Sequence, residues 1–82
     1  MSPIIEFVCW GNICRSPMAE RVAQAWAQRD QIKGVTFTSA GVSAEEAGHP
    51  IDERAADVLR AAGYRTEGHS ARRITAEEIR SA

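Results

Sequence analysis

Long apolar runs are missing from this chain. The longest near the N-terminus, Ile4, Ile5, Phe7 and Val8 interrupted by Glu6, falls far short of the roughly 20 residues that a membrane-spanning helix needs. No basic leader or small-residue cleavage site precedes it, so a cytoplasmic location without membrane contact is the expectation. Cysteine is scarce too. Cys9 and Cys14 are too few and too close for a disulfide framework, and with His49 and His69 they lack the paired intervals of a structural zinc site, so neither metal nor cofactor is expected. Charge of one sign is also lacking: the net charge of −1 at pH 7 gives no reason to expect nucleic acid or an anionic membrane as partner. Nine arginines against one lysine read as compositional bias on solvated faces. Repeats, low-complexity tracts and linkers are absent, and 82 residues with 44% hydrophobic content make one small domain of marginal stability.

What is present is concentrated in Cys9-Trp10-Gly11-Asn12-Ile13-Cys14-Arg15-Ser16-Pro17, directly after the apolar run and directly before a helical pattern. A strand that turns sharply into a helix leaves backbone N–H groups pointing into one concavity, where the helix dipole adds partial positive charge. Such a pocket suits a phosphate dianion and favours a thiolate over a thiol, so Cys9 is expected to be a nucleophile of lowered pKa. Arg15 offers a planar fork that matches two phosphoryl oxygens, which a lysine could not. Gly11 is expected to supply a positive φ, Asn12 to tolerate a left-handed conformation, and Ser16-Pro17 to act as N-cap and first-turn proline. The amides of Trp10, Gly11, Asn12, Ile13 and Cys14 are the expected phosphate cradle.

Along the chain, Ile4 to Val8 reads as a buried parallel strand. Pro17 to about Arg29 carries Met18, Val22, Ala25 and Trp26 on one helical face, with Trp26 expected in the core. Val35 to Ser39 reads as a second strand, which makes a βαβ unit whose ligand site lies at the carboxyl ends of the strands. Gly41 to Pro50 reads as an irregular loop beside that site. Asp52 is placed as the cap of a helix lined by Ile51, Ala55, Val58, Leu59 and Ala62 and stopped by Gly63. Thr75-Ala76-Glu77-Glu78 has the capping-box pattern of a third helix.

The string Val8-Cys9-Trp10-Gly11-Asn12-Ile13-Cys14-Arg15-Ser16-Pro17-Met18-Ala19-Glu20 resembles the active-site signature of the low-molecular-weight protein tyrosine phosphatases. The resemblance continues through Thr38-Ser39-Ala40-Gly41, Asp52-Glu53-Arg54-Ala55 and His69-Ser70-Ala71-Arg72. It implies the N-terminal part of a doubly wound, parallel-sheet α/β fold, ordered βαβα and then the start of a third helix, in a single incomplete domain over 1–82. It implies Cys9 as nucleophile, Arg15 as phosphate clamp, Ser16 beside the Cys9 sulfur, and a supporting network that holds Asn12 through Ser39 and His69. The implied partner is a phosphotyrosine protein, with inorganic phosphate or a similar oxyanion as loop ligand. Cys9 and Cys14 lie on one tight loop, so either oxidation pairs them, as the resemblance also implies, or Cys14 only packs behind it.

The chain departs from that family in lacking the later strands and the Asp-Pro loop that carries the general acid. Loss of such a proton donor costs about 10²–10⁴ in rate. A two-strand parallel sheet also leaves the edge of Ile4–Val8 open, which predicts instability or self-association. Glu45 stands where the family commonly presents an aromatic wall, and Trp10 is the alternative apolar face. Ile13 favours a phenyl ring, whereas a related phosphoarginine-specific branch carries threonine at the matching position. Two other functions stay open: a thioredoxin-coupled arsenate reductase, which needs further cysteines, and a phosphate- or phosphopeptide-binding module without turnover.

Overall fold

In the computed structural model, which describes residues 3–81, the element order is β1 (Ile4–Cys9), α1 (Arg15–Arg29), β2 (Thr36–Gly41), α2 (Glu53–Ala61) and α3 (Ala76–Ser81). The two strands pair in parallel, in register from Ile4 opposite Thr36 to Cys9 opposite Gly41. Both strands therefore end at the same level, and the loop after β1 and the turn after β2 emerge side by side. That juxtaposition builds the site.

Strand periodicity assigns the two faces of the sheet. Ser39 donates to Glu20 of α1, so Phe37 and Ser39 face that helix, together with Ile5 and Phe7 across the ladder; the Phe7 and Phe37 rings stack with centroids 6.4 Å apart. Glu6 and Thr38 point to the opposite face, where the Thr38 hydroxyl donates to the Glu6 carboxylate at 3.0 Å. The buried apolar cluster lies between helices rather than on the sheet: Ile51, Ala55, Ala56 and Leu59 pack against Cys14, Met18, Val22 and Tyr64.

The helix boundaries follow local chemistry. Asp52 caps α2 by accepting from the Ala55 amide at 3.1 Å, and Gly63, at φ 88°, lets the chain leave beyond its end. Thr75 and Glu78 form the reciprocal capping box of α3: the Glu78 amide donates to Thr75 Oγ1 at 3.1 Å and the Thr75 amide to Glu78 Oε1 at 3.0 Å.

Four expectations need correction. β1 is not buried, because Ile4, Ile5 and Val8 are all exposed; among the described residues the sheet has only two strands, and β1 is covered on too little of its surface. Trp26 is 53% exposed, with its indole N–H donating to the Tyr64 hydroxyl at 2.9 Å and the Arg29 guanidinium over its ring. Its polar edge and its ring face both find partners at the surface, so it adds nothing to the core. Val58 and Ala62 are exposed as well, which narrows the α2 stripe to Ile51, Ala55, Ala56 and Leu59. Finally, α1 begins at Arg15 with Cys14 in the cap position and no side-chain cap bond, so Ser16 is not the N-cap. Its hydroxyl is held inside the loop instead.

Candidate active site

Cys9 closes β1, and its sulfur sits in the mouth of the loop that follows. The Ser16 hydroxyl lies 3.0 Å from Cys9 Sγ, and the Asn12 amide donates to the same sulfur at 3.3 Å. Partial burial pushes this thiol up. The Ser16 hydroxyl, and then the backbone amides of Ser16, Asn12 and Cys14, more than offset that and bring Cys9 below its ordinary value. Those donors stabilise negative charge on sulfur, as a nucleophilic thiolate requires.

Asn12 is the centre of the supporting network. It is fully buried, sits at φ 59°, and uses both ends of its side-chain amide. Asn12 Oδ1 accepts from the Arg72 amide at 3.0 Å, which fixes the orientation of the group, and Asn12 Nδ2 then donates to Ser16 Oγ at 2.9 Å. With a lone pair of Ser16 Oγ so occupied, the hydroxyl proton is free to point at the sulfur. His69 Nε2 completes the cage 2.6 Å from the Asn12 carbonyl, so this nitrogen carries the proton and donates. The polar side chain at the heart of the loop is thereby satisfied, as burial demands.

The expected residues are thus mostly brought together, with two differences. Ser39 is buried but makes no hydrogen bond to Asn12; its hydroxyl donates to Glu20, whose other oxygen accepts from Gln24. Ser39 therefore ties β2 to α1 rather than bracing the loop. Gly11 is not at positive φ, since Asn12 takes the left-handed position instead. Gly11 still has a steric reason: a Cβ there would stand 3.2 Å from Glu46 Cγ. Trp10 is 59% exposed and is not packed under the loop. Ile13 and Cys14 are half-buried, and the Ile13 carbonyl accepts from the Asp52 amide, tying the loop to the start of α2. Arg15 is exposed and makes no side-chain hydrogen bond or ion pair among the described residues. Both cysteines are free thiols.

Sequence reasoning missed three contributors. Gly41 is the first: a Cβ there would lie 2.9 Å from the Trp10 carbonyl oxygen and 3.1 Å from the Asn12 amide, so only glycine lets β2 lie against the loop. Arg72, through its amide, is the second. Glu46 is the third; it lies against Gly11 with its carboxylate on His49 Nδ1 at 2.5 Å. Gly41 pairs with Cys9 in the ladder, two residues beyond the expected end of the second strand. Arg72 stands in the string His69-Ser70-Ala71-Arg72 that carries the resemblance, but its contact with Asn12 has no local signal.

Among the acids near the loop, Asp52 is engaged as a helix cap and Glu46 by His49. Among the described residues, no cluster of three metal-ligating side chains occurs, and no helix is long and apolar enough to cross a membrane.

Comparison with known proteins gives this geometry a family context. Residues 4–82 match the family described as "Low molecular weight phosphotyrosine protein phosphatase". The chain is 49% identical over 76 residues to low molecular weight protein-tyrosine phosphatase A of Mycobacterium tuberculosis, covering 92% of this chain and 46% of the relative. It is 46% identical over 77 residues to the Escherichia coli phosphatase Etp, covering 94% and 48%. Among solved structures, YfkJ of Bacillus subtilis superposes with a TM-score of 0.90 at 33% identity, over 98% of this chain and 50% of that one. A Drosophila arginine phosphatase superposes at 0.86 with 30% identity, over 96% and 48%. The chain thus spans about half the length of the curated relatives it matches.

Proposed function

The chain belongs to the low molecular weight phosphotyrosine protein phosphatase family, and from that membership we propose that it carries the nucleophile and phosphate cradle of a tyrosine phosphatase. The Cys9 thiolate attacks phosphorus in line, the tyrosyl oxygen departs, and a phosphocysteine forms that water then hydrolyses to release inorganic phosphate. Loop amides from Trp10 to Cys14 and the Arg15 fork stabilise the equatorial oxygens as charge builds on them. Arg15, exposed and without a protein partner among the described residues, is available for that duty. Ser16 stabilises the sulfur when it becomes the leaving group of the second step. The single observation that carries the reading is the donor set around Cys9 Sγ, the Ser16 hydroxyl at 3.0 Å and the Asn12 amide at 3.3 Å.

Substrate preference is read from the rim. Trp10 is open to solvent and forms an apolar wall in place of the aromatic that the resemblance expects where Glu45 stands, and Ile13 beside it suits a phenyl ring. Because one structural neighbour is an arginine phosphatase, the fold alone does not choose between phosphotyrosine and phosphoarginine; Ile13 and the tyrosine-phosphatase relatives favour phosphotyrosine. Asp52 caps α2 and Glu46 pairs with His49, and the family resemblance assigns the proton donor to the leaving group to an Asp-Pro segment, which these 82 residues do not contain. The 82 residues alone are then expected to bind phosphate and form phosphocysteine, with turnover lowered by about 10²–10⁴.

In the intact protein, Cys9→Ser is expected to lower hydrolysis of a phosphotyrosine peptide by at least about 10³-fold, and rapid acid quench of the parent is expected to trap phosphate on Cys9. Undiminished hydrolysis by Cys9→Ser rejects the mechanism. Trp10→Ala is expected to narrow the discrimination between aryl and alkyl phosphates, and an unchanged ratio rejects the wall.

A further inference from the structure

On the face of the sheet opposite α1, the Arg72 guanidinium is held between two carboxylates from different elements. Its Nη2 donates to Glu6 Oε2 of β1 at 2.6 Å and to Glu78 Oε2 of α3 at 2.7 Å, while Nη1 donates to Glu78 Oε1 at 2.8 Å. The pairing with Glu78 is a two-pronged fork, the geometry in which an arginine–carboxylate pair gains most in strength and direction. Glu78 is itself fixed by the Thr75 capping box, and Glu6 by the Thr38 hydroxyl. The three side chains therefore form a cross-brace between the first strand and the last helix, along a cavity of about 400 Å³ also lined by Ile4, Thr38 and Thr75.

The same residue's backbone reaches the nucleophile. The Arg72 amide sets the orientation of Asn12, which sets the donor on Ser16, which faces the Cys9 sulfur. Backbone bonds hold this segment to β2, from the Gly41 amide to the Arg72 carbonyl and from the Ile74 amide to the Gly41 carbonyl, and to the loop before α2, from the Ala71 amide to the His49 carbonyl and from the Gly48 amide to the Ala71 carbonyl. The guanidinium supplies the tie to β1 and α3.

We infer that Arg72 is a positioning residue for the Cys9 loop: its side chain, clamped by Glu6 and Glu78, holds its own amide against Asn12 and so keeps the Ser16 hydroxyl and Asn12 amide aimed at the thiolate. This deepens the phosphatase reading and rests on it. Removing the clamp leaves the residues around the sulfur in place chemically but lets the amide of residue 72 move, so the thiolate loses part of its stabilisation.

The test follows the pH dependence of Cys9 alkylation by iodoacetamide, read by peptide mass mapping, together with a thermal melt. Arg72→Ala is expected to raise the apparent pKa of Cys9 by about half to one unit and to slow alkylation at pH 6.5 by about three- to tenfold, since one unit is a tenfold change in thiolate population. Arg72→Lys keeps the charge but not the fork and is expected to fall between. Arg60→Ala, which breaks the pairs with Asp57 and Thr66 away from the loop, is expected to leave the Cys9 profile unchanged even where it lowers the melting temperature. A folded Arg72→Ala protein with the parental Cys9 profile overturns the inference. If Arg72→Ala does not fold, Glu78→Gln decides in its place, with a smaller upward shift expected and none contradicting. A parent protein whose Cys9 titrates as an ordinary thiol is a different failure, since it sinks the phosphatase reading before Arg72 is considered.

Discussion

The two ends of β1 are built on opposite terms. At its carboxyl end, Cys9 enters a loop in which buried polar groups are matched one to one, with Asn12 joining Ser16, Arg72 and His69. At its amino end, Ile4 is 67% exposed and Ile5 is 46% exposed. A shared strand thus carries a satisfied, rigid site and an unsatisfied apolar surface. The contrast shows that the loop after β1 is organised by hydrogen bonds and close backbone approach, and not by a large hydrophobic core beneath it; the buried apolar cluster lies in the seam between α1 and α2.

The contrast can be broken from either end by urea unfolding of single variants. Asn12→Ala is expected to cost most, about 2–4 kcal/mol, because it removes the partner of the Arg72 amide and of Ser16 Oγ and places alanine at a left-handed φ. Gly41→Ala comes next, at about 1–3 kcal/mol, since the new Cβ meets the Trp10 and Asn12 backbone, which cannot swing aside like a side chain. Thr75→Ala removes the cap of α3 and is expected to cost about 0.5–1 kcal/mol. Ile4→Thr, at the open end, is expected to change stability by no more than about 0.5 kcal/mol. If Ile4→Thr costs as much as Asn12→Ala, the division between the two ends is wrong.

How far the sequence made this legible depends on the range of each interaction. Contacts within a few residues were readable: the Asp52 cap, the Thr75–Glu78 box and the left-handed Asn12 all rest on local patterns. The parallel pairing of β1 with β2 was readable from the βαβ pattern. Ser16 was misread as a cap because capping and sulfur binding ask for the same hydroxyl, and only the folded loop decides between them. Trp26 was misread because a helical stripe says which residues share a face but not whether anything covers it. The contacts of the Arg72 amide with Asn12 and of Glu46 with Gly11 were not readable, since each joins residues separated along the chain by long stretches that no spacing rule connects.

The most direct test of the account is the acidity of the Cys9 sulfur itself, measured on the unaltered protein by following its alkylation against pH. The loop geometry lowers the folded pKa, so thiolate formation stabilises the native state above the unfolded thiol's pKa, and that contribution fades as pH falls through the lower folded value. The account predicts an alkylation midpoint clearly below the ~8.5 of a free cysteine, which moves back up to that value in urea. A midpoint at or above that value in the folded protein, unchanged on unfolding, would contradict it.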